Sequence, residues 1–250
     1  MKKNCLWIVA VAGLLLSSCS QGEKAPQVGT VVRDTIQGTP CMVYLPWKVE
    51  SGESRDERYP VLYLQHGMYG NENDWTEQGH LLYWMDSLLQ LGEVREMVVV
   101  MPDNCPSRPT AEEEKTNAMN GAWENHFAAF MAEVEARYPV SSEPSQRAIA
   151  GLSMGGYHTM RVTQVLHGQF AYIGLFSGLL IAPDAPEKYE NNQPLIWIGI
   201  GREDFLYEYV RDYRHWLEAS HIEYTYYESP GGHTWDNWQD YIVRFMKLIF

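Results

Sequence analysis

Cysteine is scarce in this chain of 250 residues: there are four, and Cys5 and Cys19 fall within the first 19 positions. The other two, Cys41 and Cys105, form no Cys-x-x-Cys and no paired Cys/His spacing, so no zinc site or other metal centre is indicated. Sequence leaves open whether they form a disulfide. Positive charge is also short, 19 Lys and Arg against 32 Asp and Glu, for a net charge of −13. A surface of that sign is a poor binder of nucleic acid or of an anionic membrane face. No internal repeat is visible. The hydrophobic share of 45% with 20% charged residues excludes a disordered chain and fits one globular domain.

The apolar run Leu6–Leu16 is too short to span a bilayer comfortably. Lys2 and Lys3 precede it and Leu16-Ser17-Ser18-Cys19 closes it. This is the pattern of a signal peptide, and its end resembles the lipobox of bacterial lipoproteins. Residues 1–18 are therefore expected to be a leader, residues 19–27 a polar tether lipidated at Cys19, and residues 28–250 a single domain. The protein would then be exported and held to a membrane, periplasmic or at the cell surface, through that lipid.

Within 28–250 the pattern alternates. Val28–Ile36, Met42–Leu45, Val61–Gln65, Met97–Met101, Arg147–Gly151, Ala171–Phe176, Leu195–Ile200 and Glu223–Tyr227 read as strands. Gly38 and Pro40 bound the first two. His80–Gln90, Trp123–Tyr138, Gly155–Leu166, Phe205–Ser220 and Trp235–Phe250 read as helices. Ser51–Arg58 reads as an exposed loop, and 102–121 as a long connection carrying the acidic run Glu112–Glu114. Strands alternating with helices predict an α/β fold, a mostly parallel sheet covered on both faces. Ligands in such sheets gather at the carboxyl ends of the strands.

Gly151-Leu152-Ser153-Met154-Gly155 sits where a strand meets a helix. A Gly-x-Ser-x-Gly in that context is a nucleophile elbow. The turn is too tight for side chains at 151 and 155, and it presents the hydroxyl at a helix N-terminus. A serine hydroxyl is a weak nucleophile, so a base and an orienting acid are needed. Asp204 follows the strand ending at Ile200 and is the candidate acid, with Glu203 as the alternative. His233, in the loop Ser229–Trp235, is the candidate base. The order Ser153, Asp204, His233 is that of α/β-hydrolases. Oxyanion donors are expected from the amides of Met154, next to the serine, and Met68, in the loop after Val61–Gln65. His66 reads as a structural member of that loop. His80, His126, His158, His167, His215 and His221 read as surface or packing residues.

His66-Gly67 followed by Asn71-Glu72-Asn73-Asp74-Trp75, Gly151–Gly156, Gly201-Arg202-Glu203-Asp204 and Gly231-Gly232-His233-Thr234-Trp235 together resemble the esterase D-like family. It includes feruloyl and acetylxylan esterases of carbohydrate esterase family 1, S-formylglutathione hydrolases, enterochelin esterases and mycolyltransferases. The likeness runs from about Val31 to the C-terminus and is greatest to the bacterial feruloyl and acetylxylan esterases. It implies the α/β-hydrolase fold, the triad Ser153, Asp204 and His233, and no cofactor. The implied activity is a serine esterase acting on extracellular, carbohydrate-linked esters, most of all feruloyl or acetyl groups on plant polysaccharide fragments. Trp75, Trp123 and Trp235 lie near the strand-end face and are candidates to stack on a sugar or phenolic acyl group. Trp238 shares a helix face with Trp235 and reads as packing. Two other readings stand beside this one: acyl transfer to a sugar or lipid hydroxyl, and a silent glycan-binding surface lipoprotein, against which the intact triad argues.

Overall fold

The computed structural model describes residues 28–51, 57–105, 119–183 and 193–250. The expected leader, Cys19, the tether, the acidic run Glu112–Glu114 and residues 52–56 lie outside the described residues.

Strands β1 (Thr30–Ile36) and β2 (Thr39–Leu45) form a hairpin through Gln37 and Gly38. Both turn residues have positive φ, 49° and 77°, the type I′ geometry that matches the twist of the paired strands. Pro40 was expected to bound β2, but lies inside it and gives its carbonyl to the Asp103 N–H. The strands that follow are β3 (Val61–Gln65), β4 (Val98–Pro102), β5 (Arg147–Leu152), β6 (Tyr172–Phe176), β7 (Leu195–Gly201) and β8 (Thr225–Ser229). All eight join one sheet in the order β1-β2-β4-β3-β5-β6-β7-β8. The first two run antiparallel to their neighbours and β3 to β8 are mutually parallel.

Among the described residues the α-helices are α1 (Trp47–Ser51), α2 (Asp74–Glu77), α3 (Leu81–Gln90), α4 (Ala122–Arg137), α5 (Met154–Val165), α6 (Tyr207–Ala219) and α7 (Trp235–Met246). The short α1 and α2 were not foreseen. They are single turns, with too few residues for a helical period to show.

Alternation along the strands builds two cores. Val61 and Tyr63 of β3, Val98 and Val100 of β4, and Ile149 of β5 face α4, α5 and α6. Leu62 and Leu64, Val99, Ala148 and Ala150 face α3 and α7 on the other side. Tyr63 meets Phe127 of α4 edge-on at 5.3 Å, and Trp197 of β7 meets Tyr241 of α7 at 5.7 Å. Each large apolar side chain enclosed this way contributes about 1.5–3 kcal/mol. Central strands buried on both faces explain the unbroken apolar runs in the sequence.

Candidate active site

Ser153 links β5 to α5 with φ 54° and ψ −117°, a strained conformation for a residue with a side chain. Its neighbours allow it. A Cβ on Gly155 would lie 2.7 Å from the Gln65 carbonyl oxygen, and one on Gly156 would lie 2.7 Å from the Gly178 Cα. Both obstacles are backbone, so the elbow tolerates nothing larger there. The Ser153 N–H donates to the Phe176 carbonyl at 2.8 Å, which ties the turn to β6.

The candidate acid and base come from two loops laced together above β7 and β8. Arg202 N–H donates to the Ser229 carbonyl (3.0 Å) and Glu203 N–H to the Gly231 carbonyl (2.9 Å). Asn237 of α7 donates to the Gly232 carbonyl at 2.8 Å. So held, His233 Nδ1 lies 2.9 and 3.0 Å from the two oxygens of Asp204, and its Nε2 lies 2.9 Å from Ser153 Oγ. The Asp204 carboxylate is wholly enclosed, and its Oδ1 also accepts the Leu206 N–H at 2.9 Å. Glu203 points to solvent, so Asp204, not Glu203, meets the imidazole. His233 keeps 18% of its side chain exposed, at the mouth of a cleft of about 260 Å³. Met68, Tyr69, Gln78, Ser153 and Trp235 also line that cleft.

Gly67 brings the loop after β3 to the serine. A Cβ there would lie 2.6 Å from Leu152 Cδ1 and 3.4 Å from Ser153 Cβ. Met68 follows directly, and Met154 opens α5, where the first N–H groups have no acceptor within the helix. His66 is a member of the loop's scaffold. Its Nδ1 is 2.6 Å from the Gly67 carbonyl, and its Nε2 accepts the Asn104 N–H at 3.1 Å. The same Nε2 lies 3.2 Å from Asp103 Oδ1.

The tryptophans require a correction. Trp75 is only 1% exposed, and its indole N–H donates to the Gln65 carbonyl at 3.0 Å. Trp123 is buried too, donating to Gln65 Oε1 at 3.1 Å and packed among Phe127 and Phe130. Neither ring has a face for a substrate, because Trp75 is enclosed in the core with α3 and α7 and Trp123 in the core with α4, α5 and α6. Trp235 is half-buried and lines the cleft, with Trp75 and Trp238 each set edge-on to it at 5.2 Å. The aromatic residues at the mouth are ones the sequence reading passed over. Tyr69 is 60% exposed with φ 63°, and Phe205 is 72% exposed beside His233.

His158, read as surface or packing, is buried and paired with Glu124 across α4 and α5, Nδ1 to Oε1 at 2.8 Å. Burial pushes the Glu124 carboxyl up, but the bond and charge of His158 more than offset it and hold it below the usual range. Glu124 Oε2 and His158 Nε2 are buried with no hydrogen-bond partner among the described residues. Cys41 and Cys105 are both buried and form no disulfide with each other, and burial pushes the Cys41 thiol up to about 12. No group of three His, Cys, Asp or Glu side chains among the described residues is arranged to hold a metal ion.

The Esterase family model matches residues 36–247 of this chain. An endo-1,4-beta-xylanase/feruloyl esterase of Xylanibacter ruminicola is 32% identical over 170 residues, which cover 65% of this chain and 22% of the relative. An acetyl esterase of Caldicellulosiruptor saccharolyticus is 27% identical over 228 residues, covering 75% of this chain and 82% of the relative. A solved ferulic acid esterase superposes with a TM-score of 0.75 at 24% identity, over 90% of this chain and 98% of that one. The match thus spans under a quarter of the first relative's length and most of the second's. The structural likeness carries the α/β-hydrolase fold, and the family model covers nearly all of the described domain. The chain belongs to the esterase family.

Proposed function

We propose that this protein is a serine esterase that cleaves carboxylic esters through an acyl-enzyme, acting outside the cytoplasm on feruloyl or acetyl esters of plant polysaccharide fragments. The observation that carries it is the unbroken chain of bonds from the enclosed Asp204 through His233 to Ser153 Oγ at the mouth of a cleft. His233 Nε2 takes the hydroxyl proton as Oγ attacks the ester carbonyl. Asp204 holds the Nδ1–H tautomer and stabilises the imidazolium that forms. The amides of Met68 and Met154 receive the oxyanion. The tetrahedral intermediate collapses, His233 gives its proton to the departing alcohol, and an acyl-Ser153 remains. Water, deprotonated by His233, then attacks the acyl carbonyl and returns the serine and a free acid.

The substrate class is supported by the two relatives, an endo-1,4-beta-xylanase/feruloyl esterase and an acetyl esterase. Export and a lipid on Cys19 rest on the leader pattern. Turnover of acetylated xylan, methyl ferulate, p-nitrophenyl acetate and S-formylglutathione, measured in parallel with wild type and Ser153→Ala, tests the reading. Carbohydrate-linked esters should lead and Ser153→Ala should be inert. S-formylglutathione as the best substrate overturns the substrate class, and an active Ser153→Ala overturns the mechanism. Cys19→Ala should move the protein from the membrane fraction to the soluble one.

A further inference from the structure

Among the described residues, the large hydrophobic side chain most open to water is Phe205, at 72%, and its ring stands 4.5 Å from the His233 ring. The backbone leaves it no inward path. Asp204 and Leu206, on either side, are both buried, and the turn between them is closed by Leu206 N–H to Asp204 Oδ1 at 2.9 Å and Tyr207 N–H to the Asp204 carbonyl at 3.0 Å. The imidazole does not need Phe205 for its orientation. Asp204 holds Nδ1, and Trp238 supports the ring edge-on at 4.8 Å. A fixed, exposed phenyl ring beside the proposed base therefore lacks a structural reason. Exposed Arg202 and Glu203 precede it in the chain; Arg202 donates from Nε to Glu228 Oε1 at 2.7 Å and keeps 64% of its side chain exposed.

The proposed reaction says what should meet it. His233 Nε2 protonates the leaving oxygen, so that oxygen sits within hydrogen-bond reach of the imidazole. Whatever the oxygen carries must lie against the groups that flank the ring. The acyl half has the cleft of Met68, Tyr69 and Trp235. The alcohol half has Phe205, which lies outside that cleft.

We infer that Phe205 is the platform for the alcohol half of the ester, a sugar ring whose C–H-bearing face stacks on the phenyl ring while Arg202 and Glu203 meet its hydroxyls. This rests on the serine esterase reading and goes beyond it by assigning the leaving-group subsite. It also restricts the effect to acylation, since the alcohol has left before the acyl-enzyme is hydrolysed.

The test compares two esters of one acid, ferulic or acetic, whichever the wild type cleaves: the methyl ester and the ester of an arabinosyl xylo-oligosaccharide. An aromatic stacking contact is worth about 0.5–1.5 kcal/mol, so Phe205→Ala should lower kcat/KM for the glycosyl ester by about 2- to 12-fold, mostly through KM. The methyl ester should change by less than about twofold, and Phe205→Trp should restore the glycosyl ester, as the preserved π-face requires. Equal losses on both esters would mean that Phe205 acts on the imidazole, and no loss on either that the ring is idle; both overturn the platform. A wild type that cleaves the methyl ester but not the glycosyl ester overturns it too, while leaving the serine esterase reading intact. A protein inert toward every ester and unlabelled by a fluorophosphonate would overturn that reading itself.

Discussion

Replacing Asp204 with asparagine changes one atom in a side chain that has no exposed surface. The Leu206 N–H, 2.9 Å from Oδ1, selects which way the new amide points. Its oxygen stays at Oδ1 and its NH2 takes the place of Oδ2, 2.9 Å from His233 Nδ1. Oδ1, 3.0 Å from Nδ1, is already engaged by the Leu206 N–H, and the NH2 at the closer position needs a lone pair on Nδ1, so the imidazole proton is drawn to Nε2. That atom faces Ser153 Oγ at 2.9 Å and now donates to the hydroxyl whose proton it should accept. The stabilisation of the imidazolium is lost as well. Loss of the correct tautomer in a triad of this design costs about 10,000-fold in kcat, equal to about 5–6 kcal/mol of barrier. The assay is steady-state hydrolysis of p-nitrophenyl acetate, with thermal unfolding to show that the variant is folded. Glu203→Gln is the control, since that side chain faces solvent. An Asp204→Asn variant within about 100-fold of wild type would refute the tautomer argument, which needs the full triad penalty. So would a Glu203→Gln variant that is equally impaired.

Trp75→Phe removes the indole bond to the Gln65 carbonyl and should cost about 1–3 kcal/mol in urea unfolding with KM unchanged; a raised KM at full stability would put Trp75 back against substrate. His158→Ala strands the Glu124 carboxylate in the core and should destabilise by about 3–5 kcal/mol, whereas Glu124→Gln should cost less; a loss below about 1 kcal/mol would show that the pair is not enclosed in solution. Hydrogen bonds from Tyr207, Arg202 and Tyr226 hold the Glu228 carboxyl down to about 2. A folded value depressed below the unfolded one stabilises above the unfolded value and is lost as pH falls through the folded one. The stability gap between wild type and Glu228→Gln should therefore be full near neutrality and shrink as pH drops from about 4.5 toward 2. A gap independent of pH in denaturant titrations would contradict it.

The framework was legible because its signals are local. Val61–Gln65 is bounded as expected, since a parallel strand buried on both faces writes itself as an apolar run. The elbow was legible because only glycine fits where backbone approaches backbone, as at Gly155. Chain order then pointed to Asp204 and His233, which lie in a row with Ser153. The direction of a ring was not legible. Trp75 and Phe205 both lie in segments that follow strands, yet the first is enclosed in the core with its N–H on the Gln65 carbonyl and the second is held outward by the turn at Asp204. Nor was the Glu124–His158 pair, whose members are 34 residues apart and meet only because α4 packs on α5.

Ser153 is carried by α5, which packs into the core shared with α4 and α6. His233 stands two residues before α7, which packs into the opposite core with α3. The chain of hydrogen bonds from carboxylate to hydroxyl is thus a stitch between the layers: Asp204 before α6 and Ser153 before α5 belong to one, and His233 before α7 to the other. If either helical layer creeps by about 1 Å, the stitch slackens and about 100-fold in rate goes with it. Activity is therefore a strain gauge for the seating of the two layers. On gentle warming or in dilute denaturant it should fall before any helix is lost. Truncating a side chain beneath α7, such as Phe245, should be felt at the serine, although Phe245 is enclosed in the core and lines no part of the cleft.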